Sequence, residues 1–308
     1  MNQHLKTIID MFSYKRPMGS LYEDIFVERF LMPLGFQRDE FKNLVLTLGD
    51  NPRVLFSSHM DTVHYDEGIQ RVKYKKGVLT QNGSNCLGAD DTAGIWLMTE
   101  MIKAHIPGVY IIHHGEERGC IGSRAKAKGD PEFFANIDIA VAFDRAGYKD
   151  IITHQSGWRT ASDAFAKSLS EQLGNTYSAS PNGAYTDTNE YRELVAECTN
   201  LSVGYFSQHT SKERQDVTFL MALREALLQV DWSKLVVERD PKAVDYDDFG
   251  YGFWGSGKSS FRRQRKNDLY DLIYDYPRVA ESILRAFGVT EEVFKQEIVD
   301  QEGVYIAA

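Results

Sequence analysis

Acidic and histidine side chains recur in this chain where apolar runs stop. "VLFSSHMD" ends with His59 and Asp61, and "GADDTAG" sets Asp90 and Asp91 between glycines. "IIHHGEE" ends with Glu116 and Glu117, "AVAFD" closes on Asp144, and "LSVGYFSQH" leads to His209. Adjacent carboxylates on a strand point to opposite faces and repel each other. A pair such as Glu116-Glu117 therefore reads as a solvated turn unless positive charge lies close by. Histidines and carboxylates without cysteine suit zinc, cobalt or manganese. Two histidines with three or four carboxylates are too many for one tetrahedral ion and suit two ions sharing a bridging carboxylate.

Such residues, scattered along the chain, act together only if the elements bring them together. Apolar runs at "NLVLTLG", "RVLFSSHMD", "GVYIIHHGEE", "IDIAVAFD", "DIITHQ" and "CTNLSVGYFS" read as strands. Helical patterning lies between and around them, over residues 3–13, 20–34, the "DDTAGIWLMTEMIKAH" segment, "SRAKAKG", "TASDAFAKSLSEQLG" and 215–230. In the last helix Leu220, Leu223, Leu227 and Leu228 face inward. This alternation predicts an α/β fold with a mixed, mostly parallel central sheet flanked by helices on both faces. Residues 69–81 read as a hairpin turning at Lys75-Lys76-Gly77, which makes that sheet mixed. In such folds ligands bind beyond the carboxyl ends of the strands, where the acidic and histidine residues fall.

The sequence divides into a catalytic domain over 1–238, a Gly/Ser/basic linker or loop over 239–267, and a small helical C-terminal appendage over 268–308. The linker contains "GFWGSGKS", Gly252 to Ser259, which satisfies the phosphate-loop pattern. That pattern needs a buried strand before it and a helix after it. Here an acidic, non-apolar stretch precedes it and "SFRRQRKND" follows, so it reads as a flexible linker.

Composition narrows the partners. At 308 residues with a formal net charge of -9, the chain is a poor general binder of nucleic acid, whose affinity rests on neutralising phosphates. Nothing approaches about 18 consecutive apolar residues, so no membrane span is expected. The N-terminus lacks the pattern of a signal peptide. Three widely spaced cysteines, Cys86, Cys120 and Cys198, fit free thiols in a reducing cytoplasm.

H-x-D after an apolar strand, G-A-D-D-x-A-G, E-E-x-G, a strand-terminal Asp and a late H-x-x-x-E ("HTSKE") together resemble the dinuclear zinc exopeptidases. That superfamily includes tripeptidase T, carboxypeptidase G and the bacterial leucyl aminopeptidases, and the resemblance covers residues 1–235. It implies that Asp90 bridges two divalent ions, zinc with cobalt or manganese as alternatives. His59 and Asp144 complete one site, and Glu117 and His209 the other. Asp61 then orients the His59 ring, and Glu116 is the general base. It further implies a cis Asp90–Asp91 bond and site support from Asp187 in "AYTDTNEY". Tyr205, Arg145 and Trp158 are weaker pocket residues, and His64, His113 and His114 are structural. The lid or dimerisation domain of tripeptidase T has no room between Asp144 and His209.

The function implied is a cytoplasmic zinc-dependent aminopeptidase acting on a small peptide or amide substrate through a hydroxide shared by two metals. Alternatives are a deacylase of an N-acylated small molecule and a non-catalytic binding module on the same fold. The oligomeric state is left open.

Overall fold

The structure is a computed structural model that describes residues 3–243 and the single helical positions Ala280 and Leu284. Contacts group residues Met1–Gly250 in one compact unit and Tyr251–Ala308 in another. The phosphate-loop-like stretch, most of the expected linker and the expected helical appendage lie outside the described residues.

Eight strands make the central sheet: β1 (Gln37–Arg38), β2 (Leu44–Leu48), β3 (Val54–His59), β4 (Gly108–His113), β5 (Ile139–Arg145), β6 (Asp150–Ile152), β7 (Ser178–Ser180) and β8 (Glu197–Ser202). Their order is β7-β6-β8-β5-β3-β4-β2-β1. The inner four, β8, β5, β3 and β4, are mutually parallel. Every residue of β3, β4 and β8 is buried; β4 is accordingly apolar almost throughout, whereas β8 buries Glu197, Thr199, Asn200 and Ser202, each with a hydrogen-bond partner. The antiparallel pairings of β2 with β4, β1 with β2, and β6 with β8 make the sheet mixed.

The predicted hairpin forms, as Val72–Lys75 and Val78–Gln81, but it does not enter the central sheet. It joins Tyr205–Phe206 and Arg214–Asp216 in a separate four-stranded sheet. Lys73, Tyr74 and Lys75 are exposed and only Leu79 is buried in the hairpin. Such strands cannot replace a doubly covered one. "CTNLSVGYFS" likewise breaks into β8 and Tyr205–Phe206, two strands in different sheets.

Helices, among them α1 (Gln3–Met11) and α4 (Ile121–Gly129), cover both faces, as the patterning predicts. Phe56, Tyr110, Val141 and Phe143 point to one face, where α3 (Ala89–Lys103) and α7 (Val217–Leu227) lie in the main core. Leu55, Ile111 and Ala140 point to the other, against Phe134, Tyr191 and Val195. Helix α3 is buried at every position from Ala89 to Ile102. A Cβ on its Gly94 would fall 2.5 Å from the Phe143 carbonyl oxygen, so glycine sets how closely α3 approaches β5. In α7, Leu220, Leu223 and Leu227 are buried, while Leu228 is only partly covered. The helix expected over 20–34 is α2 (Leu21–Phe30) followed by a 3-10 turn, Met32–Leu34, at Pro33.

The folded body continues into the expected linker. Buried Glu197 accepts from Glu238 N and Arg239 N (2.8 and 3.0 Å), and the Arg239 guanidinium donates to the carbonyls of Arg192, Val195 and Ala196. Between Asp144 and His209 the chain builds β6, α5 (Asp163–Gln172), β7, α6 (Asp187–Glu190) and β8, with no separate lid domain. Among the described residues no helix is long and apolar enough to cross a membrane.

Candidate metal centre

The sheet delivers its acidic and histidine residues to one edge. His59 is the last residue of β3, Glu116 and Glu117 follow β4, and Asp144 is the penultimate residue of β5. Asp90 and Asp91 open α3, joined by a cis peptide bond as the resemblance implied. His209 comes from the turn joining Tyr205–Phe206 to Arg214–Asp216.

Asp90 sits between the two histidines. Its Oδ1 is 3.0 Å from His59 Nε2, and its Oδ2 is 3.2 Å from His209 Nε2. His59 Nε2 also lies 3.7 Å from Asp144 Oδ1 and 4.0 Å from Glu116 Oε2. On the other side, His209 Nε2 is 2.9 Å from Glu117 Oε1. All five expected ligands and Glu116 therefore converge, over a pairing in which each histidine faces a different oxygen of one carboxylate.

Charge in this pocket is unbalanced. Burial pushes Glu116 well above the usual carboxylate range, His59 opposing and Asp144 and Glu117 adding to the rise. Burial and Asp90 push Glu117 up to about 7. Asp144 rises to about 6 from the same two causes. Asp90 is instead held low: burial alone would raise it, but the two histidines outweigh that. Against burial, His209 is raised to about 11 by Asp90 and Glu117. Such a cluster lacks a counter-charge. Glu117 Oε1 and His209 Nε2 face each other at 2.9 Å inside the cluster. Ligand atoms of Asp90, Glu117 and His209, and of His59, Asp91 and Asp144, each group within 4.8 Å. The donor set and its crowding of carboxylates fit divalent cations.

The sign of these shifts sets a prediction for the metal-free chain. Carboxyls that ionise near 4 in the unfolded chain stay protonated to about 6 at Asp144 and about 7 at Glu117 and Glu213 in the fold. Their contribution is present at low pH and lost as pH rises through those values. His209, raised to about 11, acts in the same direction above its ordinary value. Buried His64 and His113, lowered to about 4 and about 3, oppose this trend only up to about pH 6.5, so in chelator the melting temperature is expected to fall by several degrees from about pH 6.5 to about pH 8. Differential scanning calorimetry checks this, and a rise across that window contradicts it.

The surrounding residues are placed to hold the cluster. Asp61 lies against the His59 ring, its carbonyl 3.0 Å and its Oδ1 3.5 Å from Nδ1. The Asp61 carboxylate also accepts from the backbone N–H groups of Glu116 and Glu117, at 3.1 and 3.2 Å, fixing the turn that carries both glutamates. Asp144 is braced on both oxygens, by Tyr205 OH on Oδ1 (3.0 Å) and Thr186 Oγ1 on Oδ2 (2.9 Å). Asn200 bonds its backbone on both sides. Asp187 is buried and accepts from Ser123 Oγ at 2.5 Å, its carboxyl raised to about 8 by burial, while neighbouring Thr186 is what reaches Asp144.

Other expected residues go elsewhere. Arg145 is paired with Asp150, and half-exposed Trp158 lies beside Arg192. His64 and His113 are buried and lowered to about 4 and about 3 by burial, neutral as structural histidines should be. Sequence reasoning passed over Arg16, which is fully buried and donates to the Met60 carbonyl and Thr92 Oγ1, linking the His59 and Asp90 segments. "SYKRPMG" carries no signal of such burial. Asn200 was signalled only as a polar residue inside an apolar strand.

Buried imidazole and carboxylate donors, with a further carboxyl beside them, at the carboxyl edge of parallel strands define a metal-dependent hydrolase site. The chain belongs to peptidase family M28, whose model matches residues 43–198, from β2 through the first residues of β8 and short of His209. It is an enzyme of the metallopeptidase type.

Solved structures share the fold. An aminopeptidase PepT from Bacillus cereus ATCC 10987 is 17% identical with a TM-score of 0.62, over 74% of this chain and 96% of that one. A tripeptidase from Staphylococcus aureus subsp. aureus Mu50 is 18% identical, also at 0.62 and the same coverage. The TET1 peptidase of Pyrococcus horikoshii is 16% identical at 0.57, over 74% of this chain and all of that one. Among curated sequences, "Uncharacterized protein YqjE" of Bacillus subtilis (strain 168) is 39% identical over 93 residues, 27% of this chain. The match spans only 25% of that relative's length.

Proposed function

We propose that this M28 peptidase is a cytoplasmic aminopeptidase for short peptides, working with two divalent ions, zinc by donor type. The observation that carries the two-ion reading is Asp90, whose two oxygens face His59 and His209 separately at 3.0 and 3.2 Å. His59, Asp144 and Asp90 would hold one ion, and Asp90, Glu117 and His209 the other. Bound there, such ions polarise a carbonyl and lower the pKa of water.

This chain's own residues supply the rest. Glu116 lies beside His59 without being needed in either ligand set, and its carboxyl is free to take a proton from the attacking water and return it to the leaving amine. Asp61 holds the Glu116 and Glu117 amides, so the proton carrier and a ligand are set by one carboxylate. Tyr205 and Thr186 keep Asp144 in one orientation. The absence of a lid domain between Asp144 and His209 removes the element that would read a substrate's far end. This favours recognition of a free α-amine next to the carboxylate cluster, as does the likeness to the aminopeptidase PepT.

The test is a paired assay on the zinc-loaded full chain with an aminoacyl amide and its N-acetylated counterpart. Hydrolysis of the free-amine substrate with at least about 100-fold preference in kcat/KM, some 2.7 kcal/mol, is expected. Preference for the acetylated substrate would make the enzyme a deacylase.

A further inference from the structure

The late acidic residue of "HTSKE" has a defined place. Glu213 is 2% exposed, and its carboxylate accepts four consecutive backbone N–H groups. Oε2 takes those of Leu87 and Gly88 at 2.7 and 2.8 Å, and Oε1 those of Ala89 and Asp90 at 2.9 and 3.1 Å. These N–H groups belong to the segment that leads into α3, ahead of the kink where Asp90 and Asp91 leave helical φ/ψ. Gly88 among them, at φ 72°, has no side chain to accept from its neighbours. A Cβ there would meet His64 Cε1 at 2.7 Å, so no larger residue fits. Past the kink Asp91 Oδ1 accepts from Gly94 N–H at 3.0 Å, but the carboxylate that caps Leu87–Asp90 comes from a distant segment.

The origin of that cap matters. Glu213 closes the turn that presents His209, its N–H donating to the Thr210 carbonyl at 3.1 Å. His209 lies in the same turn with φ 61°, its side chain 29% exposed. An exposed turn is a poor platform for a ligand. Glu213 ties it to the backbone N–H of Asp90, the residue whose Oδ2 faces His209.

We infer that Glu213 is the positioning residue that joins the His209 turn to the Asp90 segment, setting the geometry of the second metal position. The inference rests on the two-ion reading above. Glutamine at 213 keeps the length but turns one end into a donor, which then faces two N–H donors and leaves them without an acceptor. The Glu117/His209 position should loosen, while His59 and Asp144, braced by Asp61, Tyr205 and Thr186, should hold.

The test uses the chelated full chain titrated with cobalt(II), following heat and the visible absorption spectrum. The unmodified chain is expected to take up two ions. Glu213→Gln should keep its far-UV circular dichroism and its first ion, but bind the second at least about ten-fold more weakly, about 1.4 kcal/mol, with an altered second-ion spectrum. Glu213→Asp should recover part of the loss. Two ions bound with unchanged affinity and spectrum by Glu213→Gln would overturn the role of Glu213 alone. Fewer than two ions on the unmodified chain would overturn the two-ion reading and this inference with it. If Glu213→Gln does not fold, hydrogen exchange of the unmodified chain decides. Slow exchange at Leu87–Asp90 that quickens in Glu213→Asp together with weaker second-ion binding supports the clamp; fast exchange in the unmodified chain, or quickened exchange with the second ion unaffected, overturns it.

Discussion

Glu116→Gln is expected to lower kcat by about 10²- to 10⁴-fold, the range for a group that moves protons in the transition state. Metal uptake should remain at the unmodified level. The substitution preserves shape and removes only the ability to accept and return a proton. Neither ligand set uses Glu116: its Oε2 is 4.0 Å from His59 Nε2, and Cys120 Sγ approaches its Oε1 at 3.7 Å. Its backbone N–H stays with Asp61, so the turn carrying Glu117 is not disturbed. The measurement is steady-state kinetics with metal content on the same sample. Intact metal and kcat within ten-fold of the unmodified enzyme would remove Glu116 from the proton transfers. Loss of an ion would instead make it a ligand beside His59 and Glu117, with which it groups within 4.8 Å.

The pair that looked costly in sequence is arranged so that its members face different histidines. Glu117 lies against His209 and Glu116 near His59. Their separate roles come from the resemblance; what the strand pattern made legible was the shared edge, because apolar strands β3, β4 and β5 end where acidic and histidine residues begin. Those three strands were legible because burial on both faces leaves apolar runs. What sequence concealed depended on long-range pairing. The hairpin at 72–81 carries the same local pattern whether it joins the central sheet or a separate one, and its partner Arg214–Asp216 is far along the chain. Arg16 had no local signal, and Glu213 entered only as the last residue of "HTSKE" with no role attached, because charged residues in short polar stretches look solvated. Their burial follows from backbone groups supplied elsewhere: the Met60 carbonyl for one, and four N–H groups of Leu87–Asp90 for the other. Asp61 was found from its H-x-D spacing, but its hold on the Glu116 and Glu117 amides required the β3 and β4 ends to be adjacent, as their register makes them.

Asp90→Asn should have the larger effect and act by a different route. Asp90 places one carboxylate oxygen 3.0 Å from His59 Nε2 and the other 3.2 Å from His209 Nε2, and an amide offers a single oxygen to the pair. Its NH2 group must then point at either His59 Nε2 or His209 Nε2, turning a donor toward an atom that a metal requires as a free electron pair. At least one ion should be lost. With the several kcal/mol that bound ions contribute to charge stabilisation, kcat/KM should fall by about 10³-fold or more. Raising free zinc should not restore it, since the defect is the missing oxygen rather than weak retention by intact ligands. Metal content read beside kinetics separates the two variants: Glu116→Gln should be loaded and slow, Asp90→Asn slow because it is under-loaded. Asp90→Asn with two ions and near-normal kcat/KM would mean that Asp90 does not bridge. The His59/Asp144 and Glu117/His209 pairs would then each hold an ion independently, and the two-ion arrangement would lose the shared carboxylate on which its geometry depends.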